Sequence, residues 1–219
     1  MKIELNVTAK SPIHLSSGQA DVNVDADVIH DRYGMPYFPG RRFKGLLYES
    51  ALEVREMGCR SGYDKLLQGD IDVLFHHDTD EGDVQLIVPN LYLAKEEEYR
   101  ALCSAWAELQ KKYASLLTPQ DVLLEYTSIR YQTRLVDGVA AKGSLHNMRV
   151  VDDGTVFTGV LELRGEDASG YLFPLAAAVR NLKVAGLKRN RGFGSIQCRM
   201  KLMDGSNRTE EDIIREALA

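Results

Sequence analysis

The sequence predicts a mixed α+β fold in which two helices cover one face of an antiparallel sheet. Segments of alternating apolar residues and segments with a helical apolar stripe follow one another along the chain. Stripped of insertions, their order is strand, helix, strand, then strand, helix, strand. The 219 residues, 44% apolar and 27% charged, are enough for one sizeable core.

Each element has its own signal. Lys2–Thr8 alternates Ile3, Leu5 and Val7 as a half-buried strand does. Residues 9–38, rich in Ser, Gly, Asp and Pro, predict a loop. Pro39 then stands where a helix can begin, and Phe43, Leu46, Leu47, Ala51, Val54 and Met57 form a stripe that ends near Gly58. Val84–Leu93 predicts a strand. Lys95 to about Leu117 predicts a helix, with Tyr99, Leu102, Cys103, Trp106, Leu109 and Tyr113 on one face. Val122–Leu135 and Leu145–Val151 are strand-like, and Asp152-Asp153-Gly154 predicts a hairpin turn into Thr155–Leu163. A helix from about Tyr171 to Val184, a strand over Ser195–Met203 and a short helix capped by Thr209 complete the chain.

That order is the ferredoxin-like (RRM-like) split pattern, whose open sheet face is a common RNA platform. A single domain over residues 1–219 is expected. Residues 94–140 are too long for a simple connection and predict an inserted subdomain.

No apolar run reaches the roughly 20 residues needed to cross a bilayer, and the opening Met-Lys-Ile-Glu-Leu-Asn lacks signal-peptide character. Cys59, Cys103 and Cys198 are odd in number and widely spaced, which fits reduced thiols and a cytoplasmic location. The net charge of −5 is unusual for a nucleic-acid binder, but it averages two opposite regions. Asp70 to Asp83 holds six acids and no Lys or Arg, whereas Arg180 to Lys201 holds seven Lys or Arg and no acid. Segregation of this kind builds local fields that matter more for phosphate binding than the total. A solvated basic loop is the alternative.

Two stretches carry chemistry. In the first, Arg41, Arg42 and Lys44 fall in the opening turns of a helix, where the helix dipole disfavours a cation by about 0.3–1 kcal/mol. An anion docked there, phosphate above all, would reconcile them, since backbone N–H groups and side chains share one partner. Pairing with Asp25, Asp27 or Asp31 is the alternative. In the second, Lys188-Arg189-Asn190-Arg191-Gly192-Phe193-Gly194, two glycines let a backbone approach a ligand and the arginines suit phosphates.

Together these stretches carry a resemblance. Pro36-Tyr37-Phe38-Pro39-Gly40 with Phe43-Lys44-Gly45, and Arg191-Gly192-Phe193-Gly194, resemble the RAMP (repeat-associated mysterious protein) superfamily of CRISPR-associated proteins. The lead-in Val24-Asp25 with Val28-Ile29-His30-Asp31 is similar to the backbone subunit of type III (Csm-like) effector complexes. Ile13-His14-Leu15-Ser16-Ser17-Gly18, Val73-Leu74-Phe75 and Gln85-Leu86-Ile87-Val88-Pro89-Asn90 agree, and Gly138 to Leu145 is similar to type III-D relatives. The chain departs from the family in Arg41-Arg42, where a Ser-Ser-like pair is usual, and in a less glycine-rich loop at Ser16-Ser17-Gly18.

The resemblance implies a subunit that polymerises along guide RNA with other effector subunits, including copies or paralogues of itself. It inserts a thumb-like element that kinks the duplex of guide and target RNA. It implies that Asp25 cuts target RNA with a divalent metal, magnesium, by ribose 2′-hydroxyl attack that leaves a cyclic phosphate. An ordinary Asp is ionised at neutral pH, so Asp25 would act as base, metal contact or orienting group. A capping or arginine-paired loop carboxylate is the alternative, in which case the subunit is a non-catalytic scaffold. His14, Ser16, Ser17 and Gly18 are expected at the RNA, with Arg41, Arg42, Lys44, Lys188, Arg189, Arg191 and Gly192-Phe193-Gly194. Arg134 and Lys142, with Arg130 and Arg149, would form the thumb's basic edge. Asp31 is expected to fix the turn at Tyr33-Gly34. His76-His77-Asp78 with Cys59 has poor spacing for zinc. A stand-alone guide-trimming nuclease using His14 as acid or base is a third reading.

Overall fold

A computed structural model describes residues 1–21, 24–61, 71–75 and 84–218. His76-His77-Asp78 and most of the acidic stretch lie outside the described residues.

The main sheet has four strands: β1 (Lys2–Ala9), β2 (Gln85–Ile87), β7 (Val156–Arg164) and β8 (Ile196–Leu202), in the order β2-β7-β1-β8. All neighbours are antiparallel. With α1 (Gly40–Ser61) between the first two strands and α5 (Leu172–Asn181) between the last two, this is the ferredoxin-like arrangement the sequence predicts. Ile3, Leu5 and Val7 of β1 share a face with Cys198, Met200 and Leu202 of β8 and with Phe157 and Leu161 of β7. Onto that face pack Phe43, Leu47 and Ala51 of α1 and Leu175, Ala178 and Val179 of α5. The apolar stripe frays at its end, for Met57 is half exposed.

The final helix α6 (Glu210–Leu218) lies along α5 and the β8 edge. Thr209 caps it as expected: its Oγ accepts from Asp212 N and its N–H donates to Asp212 Oδ2. The buried Glu210 accepts from Arg199 and from Met200 N, which fastens the helix to the strand.

Between β2 and β7 lies the insertion, with a short α2 (Ile71–Phe75) preceding β2. It contains α3 (Glu96–Lys112), α4 (Pro119–Leu124), β3 (Thr127–Gln132), β4 (Leu135–Val136), β5 (Val139–Ala140) and β6 (His146–Val151). β3 pairs with β6 and β4 with β5, so the insertion forms its own two-stranded arm ending in a small hairpin. The arm reaches past residue 140 to Val151, beyond the expected boundary.

Two local expectations change. Residues from Val122 begin in a helix, not a strand, because Thr118 and Asp121 close a capping box around Pro119. Asp152-Asp153-Gly154 is a turn with Gly154 at φ 84°, but it joins strands of different sheets, so no hairpin forms there. Around α3, Tyr99 stacks on Tyr92 at 4.2 Å and donates from its hydroxyl to Asp31 Oδ2. Asp31 Oδ1 accepts from Tyr33 N and Met35 N, the predicted turn fixation.

Candidate nucleic-acid interface

Three junctions open at one end of the main sheet: β1 into α1, the arm into β7, and α5 into β8. The register sets this, because Ala9 at the end of β1 faces Ile196 at the start of β8, and Thr8 faces Val156 at the start of β7. The basic motifs lie on the first and third junctions.

The β1–α1 connection folds back against the arm. Ile13 pairs with Val151, Ser16 with Val28, and Ile29 N donates to Leu15 O. His14 is buried at 2% exposure, and its Nδ1 donates to the Arg149 carbonyl at 2.6 Å. Burial holds its pKa below the usual histidine value, and the nearby charges of Lys188 and Arg42 add to the lowering. His14, expected at the RNA, is thus an internal hydrogen-bond donor that joins loop to arm. Ser17 Oγ donates to Asp27 O, and Ser16 Oγ accepts from Gly18 N. Both serines shape the loop, with Gly18 exposed at φ 80°.

Each aspartate of the lead-in is committed away from the helix. Asp27 Oδ1 pairs with Arg149 Nε at 2.8 Å, with both side chains under a tenth exposed. Asp31 is taken up by its own turn and Tyr99. Asp25, 60% exposed, accepts on Oδ2 from Asn147 N at 2.9 Å, while Asn147 Oδ1 accepts from Asp25 N at 2.7 Å. His146 Nδ1 lies 3.8 Å from the same Oδ2. Carboxylate pairing at the opening of α1 is thus absent among the described residues. Arg41 and Arg42 are exposed, and Arg42 Nη1 donates to Ser16 O. Lys44 is 8% exposed, and burial lowers its pKa. No acceptor lies on its ammonium among the described residues. Its stem is buried while the ammonium keeps solvent access, open to an outside anion.

The α5–β8 junction reaches the same place. Leu187 N donates to His14 O, and Gly194 N donates to Pro12 O. Arg42 on Ser16 and Leu187 on His14 therefore flank the same three residues. Lys188, at φ 57°, extends Nζ to Gln132 Oε1 of the arm at 2.7 Å. Arg189, Arg191 and Gly192 are exposed and Phe193 is partly buried. Gly194 is buried, and a Cβ there would stand 2.0 Å from Ala185 O, so chain packing by itself requires glycine at this position.

On the arm, Arg134 and Lys142 are exposed beside the β4–β5 hairpin, and Arg130 is exposed on β3. Arg149 is not part of that basic edge, being buried against Asp27. The open face of the main sheet carries Glu4, Asn6, Thr8, Thr158, Val160, Glu162, Gln197, Arg199 and Lys201, with Tyr92 bridged to Thr158 at its edge. Arg199 is paired with Glu210 and Glu211.

Among the described residues no three His, Cys, Asp or Glu side chains are grouped to hold a metal. Asp25 brings one carboxylate, with Oδ2 already accepting from Asn147. To the expected divalent ion the chain would offer this single carboxylate, with Oδ1 as its open atom. His146, Asn147 and Gln132 were not singled out by the sequence. They gather only through the β3–β6 pairing, which sets Gln132 opposite His146.

Residues 6–197 match the family model described as the RAMP superfamily. No curated protein matches the sequence significantly. Among solved structures, a chain in the cryo-EM structure of Type III-B Cmr-beta bound to cognate target RNA is similar, at 14% identity and a TM-score of 0.58, over 98% of this chain and 99% of that one. A chain in the apo-state cryo-EM structure of Type III-B Cmr-beta is similar at 14% identity and a TM-score of 0.59, over 93% of this chain and 98% of that one. These likenesses show the shared fold.

Proposed function

The chain belongs to the RAMP superfamily, and from that premise we propose that it is a guide-RNA-binding backbone subunit of a type III CRISPR effector complex that cuts target RNA at Asp25. Its partners are then guide RNA, target RNA and other effector subunits, including copies of itself. The structures of like fold are of Type III-B Cmr-beta, one of them bound to target RNA, which supports that assignment.

One observation carries the binding half. Asp25, Asp27 and Asp31 are each engaged elsewhere, so the charges of Arg41, Arg42 and Lys44 are left for an outside anion, beside the segment that also holds Lys188. A ribose-phosphate chain supplies anions at the needed repeat, and helix N-termini favour them.

Cutting is supported by the exposure of Asp25 and by its place between the loop and the arm, near the Lys188–Gln132 contact. Its Oδ1 has no partner among the described residues and is open to accept the proton of a ribose 2′-hydroxyl. The burial of His14 speaks against a guide-trimming nuclease that uses it as acid or base.

The test is reconstitution of the complex around this subunit. Asp25→Ala should leave assembly and target binding intact and abolish cutting. Undiminished cutting overturns the catalytic half and leaves a guide-RNA scaffold. Unchanged RNA binding in Arg41→Ala/Arg42→Ala overturns the binding half.

A further inference from the structure

Resting on the assignment of Asp25 as the cutting residue, we propose that His146, on the first position of β6, is the second catalytic group and donates a proton to the departing 5′-oxygen. The reaction has two proton transfers and one carboxylate so far assigned to them. His146 is the titratable side chain the fold brings to that carboxylate, with Nδ1 3.8 Å from Asp25 Oδ2.

The placement is built by backbone. Asn147, next in the strand, both donates to and accepts from Asp25, at 2.9 and 2.7 Å, so loop and strand are fixed to each other on either side of the pair. His146 is 68% exposed, and its ring makes no hydrogen bond among the described residues. Across the arm it faces Gln132, whose amide oxygen holds the Lys188 ammonium. A phosphate set against Asp25 Oδ1 and the His146 ring would thus meet a base, an acid and a nearby cation.

The step balances without a co-reactant. The 2′-hydroxyl loses its proton to Asp25 Oδ1, O2′ bonds to phosphorus, and the P–O5′ bond breaks. His146 then protonates O5′, giving a 2′,3′-cyclic phosphate and a free 5′-hydroxyl.

Leaving-group chemistry tests this in the assembled complex. Target RNA is compared with the same RNA carrying a bridging 5′-sulfur at the cut, because a thiolate departs without a proton. His146→Ala should bind target normally, cut ordinary RNA about 10²-fold or more slowly, and recover near wild-type rate on the sulfur substrate. Asp25→Asn should be slow on both. Equal slowing of His146→Ala on the two substrates, or wild-type cutting of ordinary RNA, overturns the role of His146 while Asp25 stands. Wild-type cutting by Asp25→Asn overturns the cleavage assignment itself, and His146 with it.

Discussion

Arg149 donates from Nε to Asp27 Oδ1 at 2.8 Å, and the two side chains are 4% and 9% exposed. The pair joins arm strand β6 to the β1–α1 loop. Arg149 N also donates to Ala26 O, its carbonyl accepts from His14, and Asp27 Oδ1 accepts from Val28 N. Around this knot stand the residues that matter for RNA: Asp25 two positions before Asp27, Asn147 two before Arg149, and Ser16 two after His14. A buried ion pair here fixes geometry more than it adds stability.

Removing one partner exposes that geometry. Asp27→Ala strands a buried guanidinium and is expected to cost about 3–5 kcal/mol, read as a lower urea midpoint. It should also weaken RNA binding, because the Ser16 and His14 segment loses its brace. A loss below about 1 kcal/mol, as for a surface pair, would contradict the burial.

The two glycines of the basic loop should separate by energy. Gly192 sits at φ 80° with open space around a would-be Cβ, so Gly192→Ala should cost roughly 1–2 kcal/mol from the backbone alone. Gly194 combines φ 77° with a Cβ position 2.0 Å from Ala185 O, and Gly194→Ala should cost about 3 kcal/mol or more. Thermal unfolding of the two variants decides it; equal melting temperatures would contradict the packing role of Gly194.

Much of the fold was legible because alternation in β1 and β8 and the stripes of α1 and α5 are strong local signals. The arm was less so. Its helix α4 is announced by Thr118-Pro119-Gln120-Asp121, yet the following apolar residues also suit a strand. At the site, Arg41, Arg42 and Lys188 stood out by charge. That the three aspartates are engaged elsewhere, and that His146 and Asn147 meet Asp25 from 121 and 122 residues away, follows only from strand pairing, which leaves no mark on linear spacing. His14 and Gly194 stood out as motif residues, and the fold buries both. A histidine or glycine in a motif has one spelling whether it faces ligand or core.

Unpaired cations should register in the salt dependence of RNA binding. Arg42→Ala and Arg189→Ala are each expected to reduce the slope of log affinity against log salt by about 0.7. Arg164→Ala, on the far end of β7 and paired with Glu162, should leave it unchanged. Equal effects from all three would contradict a localised interface.

Thiol reactivity should follow burial. Cys198 is buried and its pKa is pushed up to about 12 by desolvation, while Cys59 is exposed on α1. At pH 8 a disulfide reagent should label Cys59 quickly and reach Cys198 only on unfolding. Rapid labelling of Cys198 in the native protein would contradict the packing of β8 against the helices.

In the free chain Asp25 should hold no stoichiometric magnesium at sub-millimolar concentrations, since it offers a lone carboxylate. A one-site calorimetric isotherm that Asp25→Ala abolishes would contradict this.

Where the RNA lies is the most direct question. Guide RNA bearing photoreactive uridines, crosslinked in the assembled complex and mapped by mass spectrometry, should mark peptides containing Arg41–Lys44 and Lys188–Phe193 together. Crosslinks confined to the open sheet face, around Val160–Glu162 and Gln197–Lys201, would contradict an interface at the loop end of the fold.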